Sequence, residues 1–356
     1  MNEEKVIKVL VVDDSALMRQ LLTVLLQQDP TIRVVGAAAD PYIAREKIKH
    51  LRPDVLTLDI EMPNMDGLTF LENLMRLNPL PVVMVSSLTE KGADATLRAL
   101  ALGAVDFVAK PRANLRDGMQ ELADEICAKV RVAARARVQA RTPKPKPVTE
   151  TWRGGSVRRD RVVAIGASAG GTQAIAEILT VLPQEVPGIA IVQHMPPKFT
   201  ALFAANLKNR SRLDVREAKN GDRLESGVVL VAPGGCQMAL RRDAMGYSVN
   251  VYTGEPVNRH QPSVDVLFDS TAKCAGAEAL GILLTGMGND GAKGMLTMRQ
   301  ADSYTIAQDE ATSVIFGMPD QAIKLGAAKE ILPLDRMAQR IVQWGEGTPL
   351  SLAAAR

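Results

Sequence analysis

Residues 162–179 read VVAIGASAGGTQAIAEIL and contain the three parts of the repeating unit of a parallel sheet. An apolar run ends at Ile165, a glycine-rich turn follows, and an amphipathic stretch begins at Thr172. This order predicts a buried strand, a tight turn and a helix. On its own the turn fits three interpretations: a phosphate cradle, a holder for a reactive serine, or a structural turn.

The alternation of strand and helix continues on both sides of this segment. After it come the apolar runs GIAIVQH (188–194), GVVLVAP (227–233), ALGILLTG (279–286) and DSYTIAQD (302–309). Before it come VIKVLVV (6–12), IRVVGAA (32–38), DVLTL (54–58), PVVMVSS (81–87) and AVDFVAK (104–110). We therefore predict an α/β protein with two doubly wound parallel sheets, whose functional groups lie at the carboxyl ends of the strands.

A basic, proline-containing segment separates the two sets of strands. The 356-residue chain exceeds the usual size of one domain, and residues 131–161 hold ten lysines and arginines against two acidic residues. Within this stretch RTPKPKPVTETWRGGS predicts an extended linker, with a docking segment for an acidic partner as the alternative. We expect one domain over residues 1–125, a helix end and linker over 126–159, and a second domain over 160–346.

The composition argues against several classes of protein. The formal net charge of +3 is concentrated in the linker, so it does not predict a nucleic-acid partner. The start MNEEKVIKVL lacks a secretory pattern, and no uncharged apolar run approaches the roughly 18 residues that span a bilayer. Cys127, Cys236 and Cys274 show no paired spacing. We expect a cytoplasmic monomer that is not inserted in a membrane and has no metal–thiolate site.

Polar residues follow the predicted strands of the first domain. The first strand ends in Asp13 and Asp14, the third in Asp59, the fourth in Ser86 and the fifth in Lys110. Three carboxylates at one edge repel each other unless a cation neutralises them, and an all-oxygen site suits Mg²⁺. A neighbouring lysine would neutralise a bound phosphoryl group. Each residue alone is an ordinary polar group at a strand end, so the prediction depends on the whole set.

Residues 5 to about 125 resemble the receiver domain of two-component response regulators, through the motifs VVDDS, LTLDIEMPNMDG, VMVSS and DFVAKP. The resemblance implies a flavodoxin-like fold in which Asp59 accepts a phosphoryl group from a histidine kinase. For Mg²⁺ it implies three ligands, Asp13, Asp14 and Asp59, and for the switch three groups, Ser86, Phe107 and Lys110. Phe107 stands where many receivers carry tyrosine, which removes a hydroxyl from the switch and leaves the phosphorylation chemistry intact.

The glycine-rich turn of the second domain also matches a nucleophile elbow. Gly166, Ser168 and Gly170 give the pattern G-x-S-x-G, in which small neighbours let the serine protrude and helix amides stabilise an oxyanion. The phosphate interpretation lacks support, because the turn has no G-K-[ST] lysine and does not match G-x-G-x-x-G.

Partners for Ser168 are sought among the three histidines of the chain. His50 falls on a predicted surface helix, and His260 lies among loop residues. His194 directly ends the strand IAIVQ, so it shares an edge with Ser168 and is the better candidate for a general base. Asp290, in a glycine-rich loop after the strand 280–284, is the candidate for orienting the imidazole. The alternative for Asp290 is a cap on the following helix AKGMLTMRQ.

Residues 160 to about 345 resemble the catalytic domain of the chemotaxis protein-glutamate methylesterases. The resemblance rests on IGASAGGTQAI, VQHMPPKFT, VAPGG, PVNRHQPSVDVLF, LTGMGNDGAKGM and TIAQDEATSVIFGMP. The whole chain also follows that family's order of receiver, linker and esterase. The chain order serine, histidine, aspartate disfavours the α/β-hydrolases, in which the aspartate comes before the histidine.

This second resemblance implies a Rossmann-like domain with Ser168, His194 and Asp290 as a catalytic triad. It further implies an oxyanion site at the amides of Ala169 or near Met287. Several relatives have threonine at the position of Ala169, so any help from that hydroxyl is absent here. The implied reactions are hydrolysis of glutamate γ-methyl esters to glutamate and methanol and deamidation of glutamine, with no cofactor for either.

The combined resemblance implies regulation and partners. The unphosphorylated receiver is expected to cover the esterase cleft, and phosphorylation is expected to relieve this inhibition. The implied partners are the cytoplasmic domains of methylated chemoreceptors and a histidine kinase. A DNA-binding output domain is disfavoured, because no helix-turn-helix unit is visible near the end of the chain. A nucleotide-binding or nonenzymatic α/β domain is the remaining alternative.

Overall fold

A computed structural model of the chain describes residues 6–86, 89–110, 119–138 and 158–347. The chain divides into two compact units, Met1–Lys144 and Pro145–Arg356. Most of the predicted linker, residues 139–157, lies outside the described residues.

The N-terminal unit is a five-stranded parallel sheet in the order β2-β1-β3-β4-β5. Its strands are β1 (Ile7–Val12), β2 (Ile32–Ala38), β3 (Val55–Asp59), β4 (Val82–Ser86) and β5 (Asp106–Ala109). The helices between and after them are α1 (Ala16–Leu26), α2 (Pro41–Leu51), α3 (Gly67–Leu77), α4 (Glu90–Leu102) and α5 (Met119–Ala133). All five predicted strands are present, and β3 and β4 are buried along their whole length, as expected for a sheet covered on both faces.

Side-chain caps define where several helices of this unit begin. The oxygen atoms of Ser15, Asp40 and Asp66 accept hydrogen bonds from backbone amides in the first turns of α1, α2 and α3. Such caps satisfy donors that have no partner inside the helix. These caps fix the first residues of the helices that follow β1, β2 and β3.

The C-terminal unit contains a seven-stranded parallel sheet in the order β14-β13-β12-β6-β7-β9-β8 and a separate antiparallel hairpin, β10-β11. Its strands are β6 (Val162–Ala167), β7 (Gly188–Gln193), β8 (Asp214–Glu217), β9 (Val228–Val231), β10 (Gln237–Asp243), β11 (Gly246–Tyr252), β12 (Ala279–Leu283), β13 (Tyr304–Gln308) and β14 (Glu330–Leu332). Its helices are α6 (Gly171–Val181), α7 (Phe199–Arg210), α8 (Val264–Ala275), α9 (Ala292–Gln300), α10 (Met318–Lys324) and α11 (Leu334–Glu346), with a 3-10 turn at Gly276–Glu278.

The predicted α/β fold with two parallel sheets is confirmed, and the five predicted strands of the second domain are β6, β7, β9, β12 and β13. The sequence analysis did not identify β8, β14 or the hairpin. Strands β8 (DVRE) and β14 (EIL) are short and carry charged residues, so neither shows a continuous apolar run. None of the described helices combines the length and apolarity needed to cross a membrane.

Each parallel sheet has one topological switch point. In the C-terminal unit the chain leaves β6 toward β7 and later returns to β12 on the other side of β6. In the N-terminal unit it leaves β1 toward β2 and returns to β3. Because the loops diverge at such a point, a crevice opens outside the carboxyl ends of the two strands, and ligands bind there. Ser168 follows β6, and Asp13 and Asp14 follow β1.

Candidate active site and phosphoacceptor site

Ser168 is held at the switch point by backbone hydrogen bonds on both sides. Its amide donates to the carbonyl oxygen of Thr285 in the loop after β12, at 3.0 Å, and its own carbonyl accepts from the amide of Gly171 at 2.8 Å. The serine therefore lies in the turn between β6 and α6, directly beside the loop that carries Asp290. This position agrees with the elbow predicted from the G-x-S-x-G pattern.

Gly286 permits this close approach. A Cβ atom at this glycine would lie 2.7 Å from Cβ of Ser168 and 2.3 Å from Sδ of Met318. Both distances are far below van der Waals contact, so any larger residue would push the loop away from the serine. The glycine-rich sequence after β12 thus allows the backbone to pass over Ser168.

His194 lies directly after β7 and is bonded to Asp290. Its backbone amide donates to the carbonyl oxygen of Ala167 at 3.1 Å, and its Nε2 atom lies 2.8 Å from Oδ2 of Asp290. Both side chains are buried. The other ring nitrogen, Nδ1, is buried and has no hydrogen-bond partner among the described residues. The structure thus joins His194 and Asp290 by a hydrogen bond. Among the described residues it shows no hydrogen bond between the side chains of Ser168 and His194, and Nδ1 is the ring nitrogen without a partner.

Asp290 is fixed by an unusually complete set of donors. Besides His194 it accepts hydrogen bonds from the side chains of Asn258 and Ser263, each at 2.7 Å, and from the backbone amides of Val264 and Asp265, at 2.6 and 3.4 Å. Burial by itself raises the pKa of a carboxyl group, but the hydrogen bonds from His194, Asn258 and Ser263 outweigh burial and hold the pKa of Asp290 well below its usual range. Asp290 is therefore a fixed negative charge.

Asp290 caps a different helix from the one that the sequence predicts. Asp290 does not cap the following helix α9, whose N-cap Gly291 makes no side-chain hydrogen bond. It accepts instead from the first amides of α8, which lies earlier in the chain. The positive end of the α8 dipole therefore adds to the stabilisation of the Asp290 carboxylate. Asp290 therefore both bonds to the imidazole of His194 and caps a helix, but the helix is α8 and not the predicted α9.

His260 is a site residue that the sequence analysis set aside as a loop position. Its ring stacks on that of His194 with centroids 3.7 Å apart and planes inclined by 13°. Burial first, and then the neighbouring His194, lower the pKa of His260 to about 4. The neutral ring forms one wall of the His194 position. The sequence shows His260 in a segment without a strand or helix pattern, so its stacking on His194 could not be predicted from the sequence. His50 is exposed on α2, as expected.

The two residues predicted to supply oxyanion donors are Ala169, which directly follows Ser168, and Met287, which follows the glycine packed against Ser168. Ala169 is buried, and its carbonyl oxygen accepts a hydrogen bond from Oγ1 of Thr285 at 2.9 Å. Met287 follows Gly286, and its side chain is 43% exposed. Within the described residues the amides of Ala169 and Met287 donate no hydrogen bond to the chain. Both remain candidates for holding a developing negative charge.

The predicted carboxylates of the N-terminal unit come together at its switch point. One carboxylate oxygen from each of Asp13, Asp14 and Asp59 lies within 4.8 Å of the others. Asp13 and Asp59 are buried and Asp14 is exposed. Nζ of Lys110 lies 2.7 Å from Oδ2 of Asp59 and 3.3 Å from Oδ2 of Asp13. The lysine predicted at the end of the fifth strand therefore pairs with two of the three carboxylates.

Burial controls the titration of these groups. It raises the pKa values of Asp13 and Asp59 above the ordinary value, although Lys110 opposes both shifts. Burial alone would lower the pKa of Lys110, but the carboxylates outweigh it and raise that pKa. Ser86 lines the same recess and donates to the carbonyl oxygen of Gly92 at 3.2 Å. A hard cation would relieve the repulsion and desolvation that these carboxylates experience.

Phe107, the predicted switch aromatic, is buried in β5. The ammonium group of Lys129 lies 4.9 Å from the centre of its ring. This cation–π contact connects β5 with α5 and gives the ring a defined neighbour.

Two family models match the chain, CheB methylesterase over residues 163–341 and response regulator receiver domain over residues 9–121. A protein-glutamate methylesterase/protein-glutamine glutaminase of Xanthomonas oryzae is 52% identical over 351 residues, covering 96% of this chain and 98% of the relative. The chain belongs to the CheB methylesterase family. Another member, from Salmonella typhimurium, is 52% identical, with 94% and 96% coverage. The CheB methylesterase catalytic domain of Thermotoga maritima is 34% identical with a TM-score of 0.50, covering 51% of this chain and 97% of that domain.

Proposed function

We propose that this chain hydrolyses γ-methyl esters of glutamate in chemoreceptors and converts receptor glutamine to glutamate. The names of its near full-length relatives support both reactions. The observation that carries the proposal is the buried hydrogen bond between His194 and Asp290 at the switch point where Ser168 lies.

The geometry supports an acyl-transfer mechanism. Oγ of Ser168 attacks the γ-carbonyl carbon while Nδ1 of His194 accepts its proton. Asp290 stabilises the imidazolium through Nε2, because its carboxylate is held ionised and oriented. The amides of Ala169 and Met287 would hold the oxyanion, each contributing roughly 10² to 10³ in rate. His194 then gives this proton to the leaving methoxide oxygen, which departs as methanol, or to the leaving amide nitrogen of a glutamine, which departs as ammonia.

A second half-reaction restores the enzyme. Water attacks the acyl-enzyme and gives its proton to His194, the bond to Oγ breaks, and the serine takes the proton back. This sequence releases glutamate. Water is the second reactant, and the side chains and amides of the chain move the protons and hold the charge.

The N-terminal unit would accept a phosphoryl group on Asp59 from a histidine kinase. Its nearly buried carboxylate, the paired Lys110 and the recess beside Ser86 support this role. The oxygen donors Asp13, Asp14 and Asp59 fit Mg²⁺ by their chemistry and their mutual separation. When bound, Mg²⁺ would neutralise charge on the phosphoryl oxygens. Lys110 would hold the remaining charge after transfer.

Regulation follows from joining the two activities in one chain. Phosphorylation of Asp59 would relieve an inhibition of the esterase by the receiver. Family membership over nearly the full length supports this coupling. The proposed division remains a receiver over residues 1–125, a linker over 126–159 and an esterase over 160–346. The proposed place of action is the cytoplasm, where the receptor domains that carry the methyl esters lie.

The deciding experiment measures methanol release from membranes that carry methylated chemoreceptors. The wild-type chain should release methanol and Ser168→Ala should not. A chain that binds nucleotides but releases no methanol would contradict the proposal and favour the nucleotide-binding alternative.

A further inference from the structure

Gln193 stands where the backbone ladder between β6 and β7 ends. It is the last residue of β7, pairs with Ala167 and is only 3% exposed. One backbone bond continues beyond this pair, from the amide of His194 to the carbonyl oxygen of Ala167. After that bond the segments that follow β6 and β7 diverge. Ser168 lies on the first segment and His194 on the second. No further backbone pairing within the described residues links these two strand ends.

The side chain of Gln193 continues the connection past this point. Its Nε2 atom donates to the carbonyl oxygen of Ser168 at 2.9 Å and to that of His194 at 3.2 Å. The Ser168 carbonyl also accepts from the amide of Gly171 at the start of α6. One amide group thus ties the backbone of the nucleophile to the backbone of the base.

The two hydrogen bonds donated by Nε2 determine the orientation of the Gln193 side-chain amide. Oε1 of Gln193 is buried and has no hydrogen-bond partner among the described residues. A Cβ atom at Gly171 would lie 2.3 Å from this oxygen, so the glycine leaves the space that the amide occupies. The reverse orientation would place Oε1 against two carbonyl oxygens, which repel it. Burying an unpaired oxygen is unfavourable, so the two donated bonds must compensate for it.

We propose that Gln193 is a positioning residue for ester hydrolysis, which fixes the approach of Ser168 to His194 by clamping their carbonyl groups. This inference rests on the proposed roles of those two residues. Rates of attack depend steeply on the placement of nucleophile and base, and a displacement of about 1 Å can reduce a rate by about 10²-fold. Since Gln193 touches neither reacting atom, its effect should fall on kcat and leave substrate binding unchanged.

The test uses the full chain and methylated receptor membranes. Gln193→Met keeps the length of the side chain and removes both donated hydrogen bonds. We expect kcat per folded enzyme to fall about 10- to 100-fold, with KM within about twofold of wild type. The folded fraction is measured by circular dichroism.

Thr305→Val is the matched control for loss of buried hydrogen bonds. Oγ1 of Thr305 donates to the carbonyl oxygen of Ala327 at 2.7 Å and accepts from the amide of Lys329 at 3.1 Å, in the first half of β13 and away from Ser168. This variant should lose stability while keeping kcat per folded enzyme.

Gln193→Glu provides a second variant if the methionine variant does not fold. An ionised carboxylate would repel both carbonyl groups, whereas a protonated carboxyl group can donate one hydrogen bond. Its activity relative to wild type should therefore rise as the pH is lowered from about 8 to about 6, where burial favours the protonated form.

The outcomes separate the clamp from the triad. Unchanged kcat in Gln193→Met, or losses of kcat equal to those of Thr305→Val, would overturn the clamp, as would a Gln193→Glu activity ratio that does not vary with pH. Ser168→Ala is assayed in parallel. Retained turnover there would overturn the nucleophile assignment itself, whatever the Gln193 variants do.

Discussion

The two switch points place aspartates in opposite electrostatic environments. At the N-terminal site, Asp13 and Asp59 crowd together with Lys110 as the shared cation, and burial raises their pKa values. At the C-terminal site, Asp290 accepts five hydrogen bonds and its pKa is held low. The parallel topology is the same at both places. The difference lies in how many donors the surrounding loops supply.

That difference matches two kinds of carboxylate chemistry. A carboxylate with few donors and neighbouring negative charge favours arrival of a cation and can itself become a nucleophile. A carboxylate saturated with donors cannot change partners easily, so it serves as a fixed charge beside a histidine. The loops that follow the strands therefore determine the chemistry, while the sheet determines only where it occurs.

The largest test of this comparison is Ser168→Ala. We expect methanol release to fall by about 10⁴- to 10⁶-fold, because the acyl-enzyme cannot form. Phosphorylation of Asp59 by a small phosphodonor should be unchanged, since the residue lies in the other unit. Methanol release is measured by gas chromatography and phosphorylation with a radiolabelled donor. Loss of both activities would contradict the independence of the two sites.

Exchanging aspartate for asparagine at each switch point should separate the two roles. Asp290→Asn should reduce kcat by about 10⁴-fold, because the amide no longer selects the required tautomer of His194. Asp59→Asn should keep basal methanol release and abolish phosphorylation. Steady-state kinetics with and without a phosphodonor measure both effects. If Asp290→Asn retained most of its kcat, the fixed-charge interpretation would be wrong.

The stacked His260 gives the C-terminal site a pH-dependent stability. Its pKa is 6.5 without the fold and about 4 within it, so between these values the unfolded chain binds a proton that the folded chain does not. The contribution of neutral His260 to the free energy of unfolding is therefore fully present above about pH 6.5 and decreases as the pH falls toward 4. The total decrease is about 3 kcal/mol.

His260→Phe keeps a stacking ring and removes this titration. Urea unfolding at several pH values between about 4 and 7 should show a weaker loss of stability on acidification in the variant than in the wild type. The remaining dependence of the variant reports other groups, including Asp290. Equal slopes in the two proteins would mean that His260 has the same pKa in the folded and the unfolded chain, and would contradict the lowered value.

The smallest expected effect concerns coupling between the units. A fragment that begins near residue 155 should release methanol several times faster than the unphosphorylated whole chain, because it lacks the receiver that we propose to inhibit the esterase. The Thermotoga catalytic domain, which corresponds to about half of this chain, supports the use of such a fragment. If the fragment were no faster and Asp59→Asn still responded to phosphodonor, the receiver would act by another route, such as localisation to receptors.

Much of this architecture was predictable because parallel sheets leave a strong local signal. Strands buried on both faces read as continuous apolar runs, and the residues directly after them must meet at one edge. Asp59 and His194 were predicted at strand ends in this way, and Ser168 was predicted from the G-x-S-x-G pattern after its strand. Asp290 was found because its loop follows a recognised strand.

The donors around Asp290 were not predictable in the same way. Asn258 and Ser263, which donate to Asp290, and His260, which stacks on His194, lie in the irregular segment between β11 and α8. They are at least 27 residues from Asp290 in the chain, and no periodic pattern connects them with it. Asn258 also adopts a left-handed backbone conformation, with φ of 52°. Only long-range packing brings this segment onto the strand ends.

The cap that Asp290 forms on α8 allows the arrangement of the candidate active site to be followed by amide hydrogen exchange. The Val264 amide donates to the same oxygen, Oδ2, that holds His194. Its exchange with deuterated solvent therefore requires release of the catalytic carboxylate. Slow exchange at Val264 would report an aligned site, and a ligand or phosphoryl group that loosens the first turn of α8 would accelerate it. The exchange rate of the Val264 amide thus reports, without substrate, whether Asp290 is held in place beside His194.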